Sequence, residues 1–232
     1  MKRLILLLLM GFSLSINANV FGQNNAFLFK DYPFDMHKID FQKAFKQFGE
    51  CQFSMGSDVL CARRGEEQLY GIPFNIMVYF EKNRTHKITL KTVEPINKHT
   101  YLELFRGMIK SGFELYELKD ENGKVNVYDE IFSNGGKDFQ ALADKKLDDL
   151  EVEENKTNKA TLYYTDHKTM QKLLKSRQKF SSAQDIFSKV PADTRFVEMS
   201  VDNYKGLYTL ELIFTIPNAS VTTIDDRPTE KF

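Results

Sequence analysis

Two rhythms of apolar residues run along the chain, one with a period of two and one with a period near 3.6, and together they set the expected elements. In GIPFNIMVYF the residues Phe74, Ile76, Val78 and Phe80 alternate with more polar positions, the pattern of a strand buried on one face. The turn EKNRT leads to a partner strand carrying Ile88 and Leu90, so residues 50 to 93 read as an antiparallel meander that Pro95 ends. FELYELK and KVNVYDEIF form a second pair about Asn122 and Gly123, a dipeptide that readily takes the positive φ of a tight hairpin. KATLYYT is a further strand. The clearest alternation is Tyr208, Leu210, Leu212, Phe214 and Ile216, joined to TRFVEMSV through a turn between Asn203 and Gly206.

The longer period appears between these strands. After a polar lead-in from Gln23 to Lys38, Phe41, Ala44, Phe45 and Phe48 share one helical face, with Asp40 as the expected cap and Gly49 as the stop. Asn97 is the expected cap of a helix burying Tyr101, Leu104, Phe105 and Met108, and Gly112 ends it. Phe139, Leu142, Ala143, Leu147 and Leu150 predict another helix, and Ser182 opens a short one that stops before Pro191. Helices inserted between meanders, with no strand-helix-strand rhythm, place the chain in the α+β class. The organisation expected is two sequential units, residues 24–133 and 137–217, divided at SNGG and followed by a polar tail at 218–232. One shared sheet or two separate ones both fit this pattern.

The order helix, Gly49, three strands over residues 40 to 93 resembles the small exported α+β domains of an outer-membrane assembly lipoprotein family and of the β-lactamase inhibitory proteins. The resemblance lies in element order and implies architecture alone. The chain lacks the lipid-attachment cysteine of the first family.

The N-terminus changes the compartment. Lys2 and Arg3 precede an apolar run of 13 residues, Leu4 to Ile16, and small residues follow near Ala18. That is the layout of a signal peptide over residues 1–18, too short for a membrane span of about 20 residues. Cleavage after Ser15 also fits. The expectation is an exported chain, in a periplasm first and outside the cell second, without a transmembrane span once processed. Cys51 and Cys61 then read as a disulfide, because an even cysteine count in an oxidising compartment favours a bridge over a thiol nucleophile. Symmetric pairing about Gly56 sets the two cysteines opposite each other.

Charge singles out one segment. Without Lys2 and Arg3 the chain carries 30 basic and 32 acidic residues, which points to no particular partner. Within DHKTMQKLLKSRQKF, however, Lys168, Lys172, Lys175 and Lys179 fall on one helical stripe, opposite Met170, Leu173, Leu174 and Phe180, with Asp166 as the cap. Surface helices usually mix signs, since like charges three or four residues apart cost about 0.2–0.5 kcal/mol per pair. Three answers are open: solvent alone, the acidic run DKKLDDLEVEE at 144–154, or an external anion such as an envelope component or an acidic protein surface. Nucleic acid is not expected, given the compartment and the balanced charge.

Catalytic templates give little. His37, His86, His99 and His167 show no zinc spacing, and no cofactor motif is present. NGGKDF sets glycines before a helix start but lacks the remainder of a phosphate-binding loop. His37 lies between Asp35 and Asp40, so an acid could orient its imidazole as a general base. Glu198 and Glu211 belong to adjacent expected strands and could pair in a cleft. The functional expectation is an exported, non-catalytic binding or envelope-associated protein of unknown ligand, with an anion as a candidate. The alternative is an exported hydrolase with a carboxylate and histidine site, and a purely structural subunit is a third class.

Overall fold

The computed structural model describes residues 26–51, 58–62, 65, 67–121, 123–127, 157–176 and 183–221. The class is α+β, a mostly antiparallel sheet with a few helices. A small hairpin, β1 (Phe27–Phe29) and β2 (Tyr32–Pro33), precedes the sheet. The sheet then takes β3 (Phe48–Glu50), β4 (Val59–Ala62), β5 (Glu67–Leu69), β6 (Ile72–Glu81) and β7 (Arg84–Thr92). It continues with β8 (Ile96–Asn97), β9 (Phe113–Asp120), β10 (Gly123–Asn126), β11 (Thr157–Asp166), β12 (Phe196–Tyr204) and β13 (Leu207–Thr215). Four helices are described: α1 (Lys38–Ala44), α2 (Lys98–Lys110), α3 (His167–Ser176) and α4 (Ala183–Lys189).

The order across the sheet is β10-β9-β11-β12-β13-β7-β6-β4-β3, with β5 beside β6 and β8 beside β13. Strands β11 to β13, late in the chain, therefore lie between β9 and β7. SNGG and the helix expected at 139–150 are outside the described residues.

Period-two alternation gives the sheet a mostly apolar first face, into which Thr92 and Asn203 are also buried. Phe74, Ile76, Val78, Ile88, Leu90, Leu162, Met199, Leu210, Leu212 and Phe214 are all buried there. Helix α2 covers this face through Tyr101, Leu104, Phe105 and Met108, and the Tyr101 ring stacks on Tyr208 with centroids 4.8 Å apart. The Asn97 side chain accepts the Thr100 N–H at 2.9 Å, as expected of its cap, and Gly112 follows the helix at φ 83°. Between β12 and β13, Lys205 and Gly206 both have positive φ, the two-residue turn whose twist matches the strands it joins.

Several expectations are corrected. The lead-in is not polar in its packing: Leu28, Phe29, Tyr32, Phe34 and Met36 are buried in the main core, and the Phe29 and Phe214 rings lie 4.9 Å apart. Its apolar residues are too closely interrupted for either period to register. The first helix is capped by His37, whose Nδ1 accepts the Ile39 N–H at 3.3 Å, and Asp40 sits in the first turn. That helix ends at Ala44, so Phe48 reaches the core from β3 and Gly49 pairs with Cys61 as a strand residue. The stretch 40–93 thus holds a helix and five strands where three were expected.

The disulfide is present, with Cα atoms 5.0 Å apart. The hairpin register differs from the symmetric expectation: Phe48 faces Ala62 and Glu50 faces Leu60, so Cys61 stands opposite Gly49 and Cys51 lies just past the end of the described ladder. At the other terminus the expected tail contributes Val221 to the core and packs Ala219 against it.

Candidate functional site on the polar face of the sheet

The second face follows from the register. Lys119, Thr161, Ser200, Glu211, Lys91 and Asn75 stand opposite one another in a single row across β9, β11, β12, β13, β7 and β6. The next row toward α3 is Glu117, Tyr163, Glu198, Ile213, Thr89 and Met77. On the other side lie Lys159, Asp202 and Thr209, followed by Tyr204 and Leu207 at the hairpin end. The strands thus give most of their apolar residues to the core and most of their polar ones to this face.

Among the described residues, an apolar cluster caps one end of this face. Met170 and Leu173 of α3 and Ile186 of α4 pack with Tyr116 and Phe196 of the sheet, and the Phe187 and Phe196 rings meet edge to face at 4.6 Å. Helix α3 starts where the sequence expects it: Asp166 accepts the Thr169 N–H at 2.9 Å and the Thr169 hydroxyl at 2.9 Å. Away from this cluster, a half-open groove of about 330 Å³ lies over the middle strands. Thr161, Ser200, Thr209 and Glu211 contribute to it, with Lys91, Lys159 and Asp202. Lys159 Nζ is 3.6 Å from Asp202 Oδ2, and Lys91 stands directly cross-strand from Glu211.

Carboxylates and phenols gather in the adjoining row. Burial, and secondly the Glu211 carboxylate, push Glu198 above the ordinary carboxylate range, while Lys119 acts in the opposite sense. Glu117 is 6% exposed and ion-paired to Lys124 at 2.6 Å. Burial raises the Tyr116 and Tyr163 phenols, and Glu117 and Glu198 add to the shift in both. The tyrosines therefore stay protonated donors beside the acids.

The residues singled out from the sequence are distributed elsewhere, apart from Glu198 and Glu211, which share this face. His37 pairs with Arg84 through an isolated backbone β-bridge, and Asp35, which is buried, lies with Oδ1 3.9 Å from Arg84 Nε. Arg84 also donates to the Asp35 carbonyl at 2.8 Å. Asp40 turns to Lys43 at 3.5 Å. The three are thus near one another in the chain, but Asp35 and Asp40 have basic partners other than His37. Lys168, Lys172 and Lys175 are exposed on α3, and no ion pair joins them to other described residues. Lys179 and the acidic run at 144–154 lie outside the described residues.

Thr161, Ser200, Thr209, Lys91, Lys159 and Asp202 were not marked by sequence reasoning. Their only signal is the polar half of the alternation, which reads equally as a solvated face. Among the described residues, no group of three or more His, Cys, Asp or Glu side chains could hold a metal ion, and no helix is long and apolar enough to cross a membrane. No family model, curated protein or solved structure matches the chain.

Proposed function

We propose that the chain is an exported, non-catalytic binding protein, periplasmic in the first instance, whose ligand sits on the polar face of the sheet. One observation carries this reading: the groove of about 330 Å³ combines hydroxyls with lysine and carboxylate side chains set cross-strand from each other. Its size is within the range of small-molecule clefts, about 300–1,000 Å³. Its side chains stand on hydrogen-bonded strands, so the groove is pre-formed, which lowers the entropy lost on binding. The disulfide and the signal-like N-terminus support export. The two units of the chain act in this reading as one scaffold, since strands from both line the groove.

The test is a thermal-shift screen of small polar molecules against the chain and a Ser200→Tyr variant that fills the groove. A compound that raises the melting temperature of the former and not of the latter is expected. Compounds that stabilise both alike would remove the groove from the proposal, and Asp202→Lys provides a second variant should Ser200→Tyr fold poorly.

A second reading has its own observation. Glu198, held toward its protonated form beside Glu211, has the character of a general acid in a hydrolase. Hydrolytic activity lost in Glu198→Gln would favour it. The lysines of α3 remain a proposed contact for an anionic envelope component or acidic protein surface, separate from the groove.

A further inference from the structure

The groove is balanced in charge. Lys159 is paired with Asp202, and Lys91 faces Glu211 across the β7–β13 ladder, so two cations are answered by two carboxylates. A free anion entering between them gains from the lysines but meets the carboxylates at the same range, and a cation meets the reverse. What the arrangement suits is a neutral ligand whose groups both donate and accept. A hydroxyl does both: it can accept from the ammonium and donate to the carboxylate of one pair, bridging them without displacing either. Thr161, Ser200 and Thr209 offer further hydroxyls on the same floor.

The rim supplies a second requirement. Tyr204 and Leu207 continue this face beyond Asp202 and Thr209, and they are 53% and 49% exposed, large apolar groups left in water beside a polar groove. Lys205 Nζ lies 5.3 Å from the centre of the Tyr204 ring. An exposed phenol ring adjoining rows of donors and acceptors complements a molecule with one apolar C–H face and a perimeter of hydroxyls. That description is a pyranose ring. We infer that the polar-face groove binds a neutral saccharide, with Tyr204 as the stacking platform and the Lys159–Asp202 and Lys91–Glu211 positions as the hydroxyl-reading pairs.

This inference rests on the groove being the ligand site, and the experiment separates the two. The ¹⁵N-labelled chain is titrated with cellobiose, maltose and diacetylchitobiose, and separately with digalacturonate and inorganic phosphate. Amide shifts are followed at Thr161, Ser200 and Thr209. Expected are saturable shifts there with at least one neutral disaccharide, weakened about tenfold in Tyr204→Ala, a loss matching an aromatic contact of about 1.4 kcal/mol. Tyr204→Phe retains binding, which excludes a folding defect as the cause. Shifts in the groove with digalacturonate or phosphate alone would overturn the saccharide inference and leave the groove as a site for anions. Silence of the groove toward every probe would also overturn it, and the wider screen of polar compounds then decides whether the groove binds anything.

Discussion

Glu198 and Glu211 occupy adjacent antiparallel strands on the same face of the sheet, offset by one step: Ser200 stands opposite Glu211, and Glu198 opposite Ile213. The sequence makes them neighbours only once the β12–β13 turn is fixed. Lys205 and Gly206 fix it, because a two-residue turn permits a single register and a slip by one would turn every core residue of β13 to the other face.

The offset has a consequence for acidity. Burial first, and Glu211 second, raise the Glu198 pKa above its unfolded value. Just above the ordinary carboxylate value the native state therefore binds more protons than the unfolded one, and stability falls as pH rises through the raised pKa. Below about pH 4, where both states are protonated, the penalty is absent. Glu198→Gln is expected to melt higher than the parent at pH 7, with the gap closing toward pH 4. A gap independent of pH would show that the carboxyl carries no such penalty, and melting curves over that range provide the check.

The core carries its own irregularity. The hydroxyls of Tyr101 and Tyr164 are buried without a hydrogen-bond partner among the described residues, and burial raises both phenols, with Tyr208 adding to the shift of Tyr101 and Tyr101 to that of Tyr164. An unmet buried hydroxyl costs roughly 1–3 kcal/mol. Tyr164→Phe keeps the ring and removes that group, so urea unfolding should place the variant about 1 kcal/mol above the parent. A variant destabilised by a similar amount would instead reveal an internal water bridging the hydroxyl.

Helix α3 gives a salt-dependent prediction. Lys168 and Lys172, and Lys172 and Lys175, are like-charged neighbours on an exposed stripe. Replacing all three by Gln removes two repulsions, together about 0.4–1 kcal/mol. The variant should melt higher at low salt and converge with the parent at high salt. Should it melt lower, again in a salt-sensitive way, the lysines answer an acidic partner within the chain, and the stripe loses its standing as a contact for an external anion.

The parts of the fold that could be read from the sequence were those where one period persists. Phe74 to Phe80 and Tyr208 to Phe214 hold the alternation long enough to define strands, and Tyr101 to Met108 define α2 through a capping Asn97. What escaped were short pieces: the Phe27–Pro33 hairpin offers too few alternations, and α1 ends at Ala44 because Phe48 is drawn into pairing with Ala62. Propensity gave way there to tertiary pairing. The groove escaped for a different reason. Thr161, Ser200 and Thr209 are ordinary polar strand residues, and only the ladders that set β11, β12 and β13 side by side make a surface of them.

The central claim is that this polar face is where a ligand binds. A fragment screen monitored by backbone amide shifts tests it without presuming the ligand. The account predicts that fragment hits cluster on Thr161, Ser200, Thr209 and their strand neighbours. Hits concentrated on α3, or on the Asp35–Arg84 region, with the groove silent, would contradict it.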